Sequence, residues 1–140
     1  MPGKLYAVID TNVLVSALIS KNQDAPPLVV LASVFRGRII PVFNDEILAE
    51  YRDVLSRNQK FHINPELIEV SLRVFEEYGL ALDRTTVEGE SFPDPKDIVF
   101  YEVKMSKDDA YLVTGNTRHF PKKPFVITPK EMVELLSSLE

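Results

Sequence analysis

Apolar residues along this chain follow two alternating patterns, short uninterrupted runs and longer stretches with helical spacing. The mainly apolar runs at residues 5–9, 38–43, 110–114 and 125–127 predict strands, and residues 80–82 predict a further short strand. Between these runs, apolar residues three and four positions apart predict helices. The helices are expected to begin after Asp10, at Pro26, near Asn44, near Asn64, at Asp97 and after Thr128.

Local signals mark the ends of several helices. Thr11 or Asn12 is expected to cap the first helix through a side-chain oxygen, and Thr128 with Glu131 forms a capping box at the last one. Gly79 is expected to end the fourth helix. The apolar face of that fourth helix is predicted to carry Leu67, Ile68, Ser71, Leu72 and Phe75.

The alternation of strands with helices predicts the fold class. Such strands pair in parallel through right-handed crossovers, so we expect an α/β fold, a three-layer α/β/α sandwich with a central parallel sheet. The chain has 140 residues, a common size for one domain, and shows neither an internal repeat nor a linker. We therefore expect a single domain over residues 1–140.

Composition limits the cellular location and the kinds of ligand that we expect for this protein. No apolar run approaches the roughly 20 residues that cross a bilayer, and the N-terminal apolar stretch lacks the pattern of an export leader. The chain has no cysteine, which excludes disulfides and thiolate metal sites. We expect a cytoplasmic protein that does not bind membranes. The net charge of -5 argues against coating nucleic acid through a broad basic surface, but it permits an enzyme that handles nucleic acid at one site.

Acidic and amide side chains gather where the predicted strands end. In open α/β sheets ligands bind beyond the carboxyl ends of the strands, and a carboxylate buried there needs a cation or several N–H donors. Oxygen ligands without cysteine or paired histidine favour Mg²⁺ or Mn²⁺ over zinc, and such ions could activate water for phosphodiester hydrolysis. The residues expected at this edge are Asp10, Thr11, Asn12, Asn44, Asp45, Asp94, Asp97, Thr114, Gly115 and Asn116.

Four segments resemble the motifs of PIN domains in the expected order. Residues 8–18 look like the opening motif, residues 46–55 are similar to the segment that supplies the second acid, and residues 94–97 and 111–116 resemble later motifs. The similarity spans essentially the whole chain. It looks closest to the toxin components of type II toxin–antitoxin systems, in which the pattern of residues 114–120 is a familiar ending to the site.

This resemblance implies a metal-dependent ribonuclease. It makes Asp10, Glu50 and Asp97 the metal-binding acids, with Asp94 as a helper and Mg²⁺ or Mn²⁺ as the cofactor. Asn116 would complete the catalytic centre, but many PIN domains carry an aspartate at that position. Because an amide brings no negative charge, the binding of a second metal is left open.

The resemblance also assigns supporting residues and partners. Thr11 and Asn12 would orient Asp10 or a metal-bound water, and Thr114 would bond to a neighbouring carboxylate. RNA would be the substrate, and both an antitoxin protein and a second copy of the chain would be partners.

Each candidate residue also has a purely structural interpretation. Asp10 could only cap a helix, and Asp94 and Asp97 could be acids favoured by a helix dipole. Glu46, one turn before the second acid, is a rival ligand, and Asn116 suits an ordinary turn.

Histidine and the basic residues give weaker signals. His119 is isolated and is more often structural or substrate-contacting than catalytic. Six basic residues could border an RNA path or simply be solvated surface. They are Arg57, Lys60, His62, Arg118, Lys122 and Lys123.

Other functions compete with the nuclease as interpretations of this sequence. A phosphotransfer enzyme or receiver module also places aspartate at strand ends, but a dehalogenase-type site would have a second aspartate where this chain has Asn12, and the receiver pattern is absent. A catalytically degenerate PIN module that binds RNA or a protein partner without cleaving is favoured by Asn116. A nucleotide-binding module is disfavoured because the glycine-rich motifs GxGxxG and GxxxxGK(S/T) do not occur in the sequence.

Overall fold

The computed structural model describes residues 3–57 and 62–139. Strands and helices occur where the hydrophobic pattern predicts them, with ends that differ by one or two residues. The strands are β1 (Leu5–Ile9), β2 (Ile39–Phe43), β3 (Leu80–Ala81), β4 (Ala110–Val113) and β5 (Val126–Ile127). The α-helices are α1 (Thr11–Ile19), α2 (Pro26–Phe35), α3 (Asp45–Arg57), α4 (Pro65–Tyr78), α5 (Ile98–Lys104) and α6 (Pro129–Ser138).

The five strands of the described residues form one parallel sheet in the order β3-β2-β1-β4-β5. β1 is the central strand, since Tyr6 pairs with Ile40 of β2 on one side and with Ala110 of β4 on the other. Helix α5 packs on β1, β2 and β4, whereas α2 packs on β2, α1 and α6. The predicted three-layer α/β/α sandwich is therefore confirmed.

The central strand is buried on both faces. Ala7, Val8 and Ile9 are all 0% exposed, which explains why this segment is a continuous apolar run rather than an alternating one. The next residue, Asp10, is the first polar side chain after the run. The strand therefore delivers an acidic side chain from the core to the carboxyl edge of the sheet.

The prediction for the start of α1 was wrong. The cap is Asp10, whose Oδ1 accepts a hydrogen bond from the Thr11 N–H, and neither Thr11 nor Asn12 caps the helix. The helix begins directly after Asp10, because the carboxylate at the strand end already satisfies a free N–H of its first turn.

Two further local predictions need correction. Leu67 does not lie on the buried face of α4 but is 40% exposed, because Ile68 and its neighbours one turn on already fill that face. Helix α5 begins at Ile98 rather than at Asp97. One turn of 3-10 helix, Pro95–Asp97, precedes it, and the Asp94 side chain caps that turn.

The longest loop, residues 82–94, is held against α3 and α5 by charged side chains. Arg84 contacts Glu46 of α3 at 2.9 Å and Glu102 of α5 at 2.7 Å. The other oxygen of Glu102 accepts from the Val87 N–H at 2.9 Å. Burial by itself would raise the pKa of Glu102, but the Val87 amide and Arg84 together lower it. The loop is thus anchored near its start by a nearly covered carboxylate.

Two findings bear on the predictions that concern membranes and RNA binding. No helix in the part of the chain that the structure describes has both the length and the apolar character needed to cross a lipid bilayer. Among the basic residues considered for RNA binding, Arg57 pairs with Asp53 at 3.1 Å, and Lys60 lies outside the described residues.

Candidate active site

The candidate site lies where β1 ends. Asp10 follows Ile9 directly, and its backbone N–H donates to the Val113 carbonyl of β4 at 2.9 Å. Because β2 and β4 flank β1, this position is the middle of the carboxyl edge of the sheet. Asp10 is 7% exposed, so its carboxylate is largely removed from water.

Three donors hold the Asp10 carboxylate. The Thr11 N–H donates to Oδ1 at 2.8 Å, the Thr114 hydroxyl to Oδ2 at 2.8 Å, and the Asn12 amide to Oδ2 at 3.3 Å. A carboxylate offers about four lone-pair positions. The three bonds therefore orient the side chain and leave Oδ1 with an acceptor position for a further electropositive partner.

Burial raises the pKa of Asp10 to about 6. The hydrogen bond from Thr114 opposes this rise, the negative charge of Asp97 adds to it, and the Thr11 amide and His119 oppose it less strongly. Burial therefore outweighs the hydrogen bonds. At neutral pH the ionised carboxylate is held at an energetic cost, which a bound cation would offset.

Thr114 and Asn12 connect Asp10 to the loop after β4. Thr114 is 0% exposed, and its hydroxyl donates to Asp10 while it accepts from the Asn116 N–H at 3.0 Å. The Asn12 side-chain oxygen accepts from the Gly115 N–H at 3.1 Å. The Thr114 and Asn12 side chains thus both contact Asp10 and also fix the loop beside it.

Thr11 and Asn116 contribute through their backbones. The Thr11 hydroxyl is buried and has no hydrogen-bond partner within residues 3–57 and 62–139. The Asn116 carbonyl accepts from the His119 N–H at 3.1 Å, while its side-chain amide does not cap the turn that follows. Asn116 therefore shapes the turn with its backbone, and its amide group is left for another contact.

Asp97 and His119 form a second part of the site. His119 Nδ1 lies 3.1 Å from Asp97 Oδ2. Burial and the charge of Asp94 raise the pKa of Asp97, His119 lowers it, and Glu50 raises it further. The charge of Asp97 in turn raises the pKa of Asp10, so electrostatic effects link Asp97 to each of the other three predicted acids.

The two glutamates of α3 have different surroundings. Glu46, the rival ligand, pairs with Arg84 and contacts the Asn44 amide at 3.4 Å. Glu50 is half-buried, and within the described part of the chain it makes neither an ion pair nor a side-chain hydrogen bond. Its charge acts on Asp97 instead. These surroundings favour Glu50 over Glu46 as the acid available to a cation.

The acids do not form a complete metal cage. Within the described ranges, no three Asp, Glu or His side chains are grouped closely enough to hold a metal ion by themselves. Mg²⁺ usually keeps several waters and takes one or two carboxylates together with substrate phosphates. A buried carboxylate with neighbouring acids, all offering oxygen, fits a hard cation of that kind.

Two residues near the site were not predicted from the sequence. The contact of His119 with Asp97 was not expected, and Tyr51 of α3 was not among the candidate site residues. The Tyr51 hydroxyl is fully buried and donates to the Ile9 carbonyl, which ties α3 to the strand end that carries Asp10. The available signal was a tyrosine within an apolar stripe, because a buried phenol normally requires a hydrogen-bond partner.

Comparison with known proteins adds one match. Residues 6–118 match the family model described as PIN domain, and this stretch includes Asp10, Glu50, Asp97 and Asn116. No curated protein and no solved structure matches the chain. Because the family model covers well over half of its residues, this protein belongs to the PIN-domain family.

Proposed function

We propose that this protein is a metal-dependent endoribonuclease that hydrolyses RNA phosphodiester bonds. PIN domains are generally nucleases. The observation that carries the proposal is the environment of Asp10, which is 7% exposed, held by three donors and raised in pKa to about 6. An aspartate that served only as a helix cap would remain on the surface, where its charge is solvated.

We propose that Asp10, Glu50 and Asp97 hold Mg²⁺ or Mn²⁺, with Asp94 as a helper. PIN domains typically use divalent metals. When bound, such an ion activates a water molecule and stabilises the charge that develops on the phosphate. A cation at this edge would also offset the desolvation of Asp10 and the mutual repulsion of the acids.

The other groups act by fixing the acids in place. Thr114 and the Thr11 N–H restrict the orientation of the Asp10 carboxylate, and His119 restricts that of Asp97. Such positioning lowers the cost of bringing the reacting groups together. Asn116 would supply an amide oxygen or a hydrogen bond at the edge without adding charge.

We further propose a biological setting. The protein would be the toxin of a toxin–antitoxin pair, a single domain over residues 1–140 that works in the cytoplasm, associates with a second copy and is restrained by an antitoxin protein. The resemblance of residues 114–120 to that branch supports this setting. Expression of the chain alone should arrest growth, and co-expression of a neighbouring gene product should restore it. Normal growth despite accumulation of active nuclease would contradict the toxin role but not the nuclease function.

The test of the nuclease proposal compares wild type with Asp10→Asn on RNA, with Mg²⁺, with Mn²⁺ and with a chelator. We expect cleavage by the wild type only with a divalent ion. The variant should lose at least about two orders of magnitude in rate, because removal of one preorganised electrostatic group commonly costs that much.

The matched control is Asp24→Asn, which removes the same charge from an exposed loop position. It should cleave like the wild type, and circular dichroism should show both variants folded. Cleavage that survives Asp10→Asn, or that proceeds unchanged in chelator, would contradict the proposal.

A second candidate function rests on Asn116. Its side-chain amide stands where the PIN motif often has a charged acid, and it does not cap the turn that follows. A catalytically degenerate module would bind RNA or a protein partner and leave RNA intact. RNA binding without cleavage under any divalent ion would favour this function over the nuclease.

A further inference from the structure

A groove of about 500 Å³ adjoins the acidic edge of the sheet. Thr117 and Arg118 form part of its wall, and they belong to the same short 3-10 turn as His119, which contacts Asp97. The same turn therefore contributes two residues to the groove wall and one residue to the candidate active site. A polynucleotide whose reacting phosphate lay at the acids would have to cross an adjoining surface of this kind.

The side chains that line this groove are mainly positive. Arg118, Lys122 and Lys123 contribute three positive charges, and Glu131 contributes one negative charge. Within the described residues, neither Arg118 nor Lys122 lies within ion-pair distance of a carboxylate. On a chain with a net charge of -5, this excess of positive charge is local. It favours an anionic ligand beside an acidic site.

The two carboxylates near the groove are already engaged. Glu131 Oε1 accepts from the Thr128 N–H at 3.0 Å within the capping box of α6. Glu90 Oε2 accepts from the Tyr101 hydroxyl at 2.9 Å and lies 3.7 Å from Lys123 Nζ. Lys123 is thus partly neutralised, whereas Arg118 and Lys122 are the cations available to a ligand.

The remaining surface of the groove suits a nucleotide. Phe120, Pro121 and Val126 provide apolar wall, and Thr117 and Thr128 provide hydroxyl groups. A nucleotide combines a charged phosphate, a sugar with hydroxyls and a flat base, so it can use all three kinds of surface. The volume is in the range of pockets that accept small organic ligands, a size that suits one nucleotide.

We propose that this groove is a subsite for single-stranded RNA, in which Arg118 and Lys122 bind a phosphate next to the one that is cleaved. The proposal rests on the ribonuclease function proposed above and names the path of its substrate. Both side chains act by binding and are not catalytic residues.

The test measures binding of a fluorescent single-stranded RNA of about 12 nucleotides, within the span of typical single-strand sites. The Asp10→Asn chain serves as the non-cleaving background, and Mg²⁺ is present. The groove variant combines Arg118→Gln with Lys122→Gln. The matched control combines Lys21→Gln with Arg36→Gln, which removes the same charge from exposed positions, Arg36 lying just before the amino end of β2 on the opposite edge of the sheet.

We expect the groove variant to bind roughly tenfold or more weakly at about 0.1 M salt, and the slope of log affinity against log salt to fall by about 0.7 for the one phosphate that is no longer neutralised. The control should keep its affinity. A charge-retaining variant, Arg118→Lys with Lys122→Arg, should recover most of the binding. Recovery by this pair would separate charge from any effect on folding.

Two outcomes would overturn the subsite. One is a groove variant that binds RNA as tightly as the Asp10→Asn background, and the other is an equal loss of affinity in the groove variant and the control. Failure of the proposed function is recognised separately, because it appears as wild-type protein that cleaves no RNA with Mg²⁺ or Mn²⁺. Wild-type cleavage with unchanged binding by the groove variant would remove the subsite and leave the nuclease.

Discussion

At the scale of single residues, burial and hydrogen bonding have opposite effects on the pKa of Asp10. Three donors stabilise the ionised carboxylate, yet its pKa is still raised to about 6, because the side chain is removed from water and faces the charge of Asp97. A partly buried acid that its surroundings fail to compensate is typical of functional sites. The two predictions that follow test this balance.

The first prediction concerns the stability of the metal-free protein. The ordinary pKa of Asp10 is 3.8 and the folded value is about 6. A raised folded pKa stabilises the fold below about pH 4, and this contribution is lost as the pH rises through about 6. Each pKa unit is worth about 1.4 kcal/mol, so wild type should lose up to about 3 kcal/mol relative to Asp10→Asn over this range.

Urea unfolding of both proteins in chelator, across the pH range, provides the measurement. The free-energy difference between them should move in favour of the variant as the pH rises. Added Mg²⁺ should raise the melting temperature of wild type above that of its chelated form and should leave Asp10→Asn unchanged. A difference that stays flat with pH would show that Asp10 is not desolvated as described.

The second prediction concerns Thr114. Thr114→Val removes the hydroxyl that lowers the pKa of Asp10 and that accepts from the Asn116 N–H, while it keeps the volume of the side chain. The acid limb of the pH–rate profile should therefore shift upward, and the fold should lose about 1–3 kcal/mol for the unpaired N–H. Thr114→Ser, which keeps the hydroxyl, is the control and should retain the wild-type profile. Equal profiles for valine and serine would contradict this role.

At the scale of elements, close contacts between helix and strand ends set the position of each side chain on the sheet. Tyr51 joins α3 to the end of β1, so the helix that carries Glu50 is fixed relative to the strand that delivers Asp10. Gly79 plays a similar part between α4 and β3. These contacts fix the helices relative to the strands and so determine where the side chains of the site lie.

The third prediction concerns Gly79. A Cβ at this position would lie 2.4 Å from the Phe75 carbonyl oxygen and 2.6 Å from that of Pro41, and backbone atoms cannot easily yield. Gly79→Ala should therefore cost about 3 kcal/mol or more of unfolding free energy, as overpacking does in close-packed regions. Urea denaturation is the measurement.

Gly89→Ala is a useful control for that change. Gly89 has a φ of +76° but no neighbouring atom within 4 Å of an added Cβ. Its substitution should cost only the roughly 1–2 kcal/mol of left-handed strain. Equal losses at the two glycines would mean that the close backbone contact at Gly79 is not the reason for glycine there.

At the scale of the whole molecule, the long loop before α5 links helix α3, which carries Glu50, to helix α5, which follows Asp97. Arg84 bridges Glu46 of α3 and Glu102 of α5, and the loop then continues to Asp94, beside Asp97. The loop that leads to Asp94 is thus anchored to both helices by this charged cluster. Loss of the anchor should loosen the loop as a unit.

The fourth prediction replaces Arg84 with methionine. The change leaves the nearly covered Glu102 carboxylate without its cation, which should cost about 1–3 kcal/mol after allowance for the partial exposure of Arg84. Limited proteolysis should cut within residues 85–94 faster than in wild type. Arg36→Met, at an exposed position, should change neither stability nor cleavage. Equal protease resistance of the two variants would argue against the anchor.

The sequence by itself determined the elements and the class of the fold. Periodicity and capping are set within a few neighbouring residues, so the helix starts at Pro26, Asn64 and Thr128 and the buried run of β1 could be predicted from local chemistry. Where local signals competed, prediction was less accurate. Leu67 continues an apolar pattern but is exposed, because burial depends on what another element covers.

Only the tertiary structure decided how the site residues meet. The Thr114 hydroxyl that holds Asp10 is 104 positions away in the chain, and the His119 that contacts Asp97 is 22 positions away. It also decided that Arg84 pairs with Glu46, whereas Glu50, the other glutamate of α3, has no ion pair among the residues that the structure describes. Such contacts follow from the order of strands and from crossings between helices, and no short stretch of sequence encodes either of them.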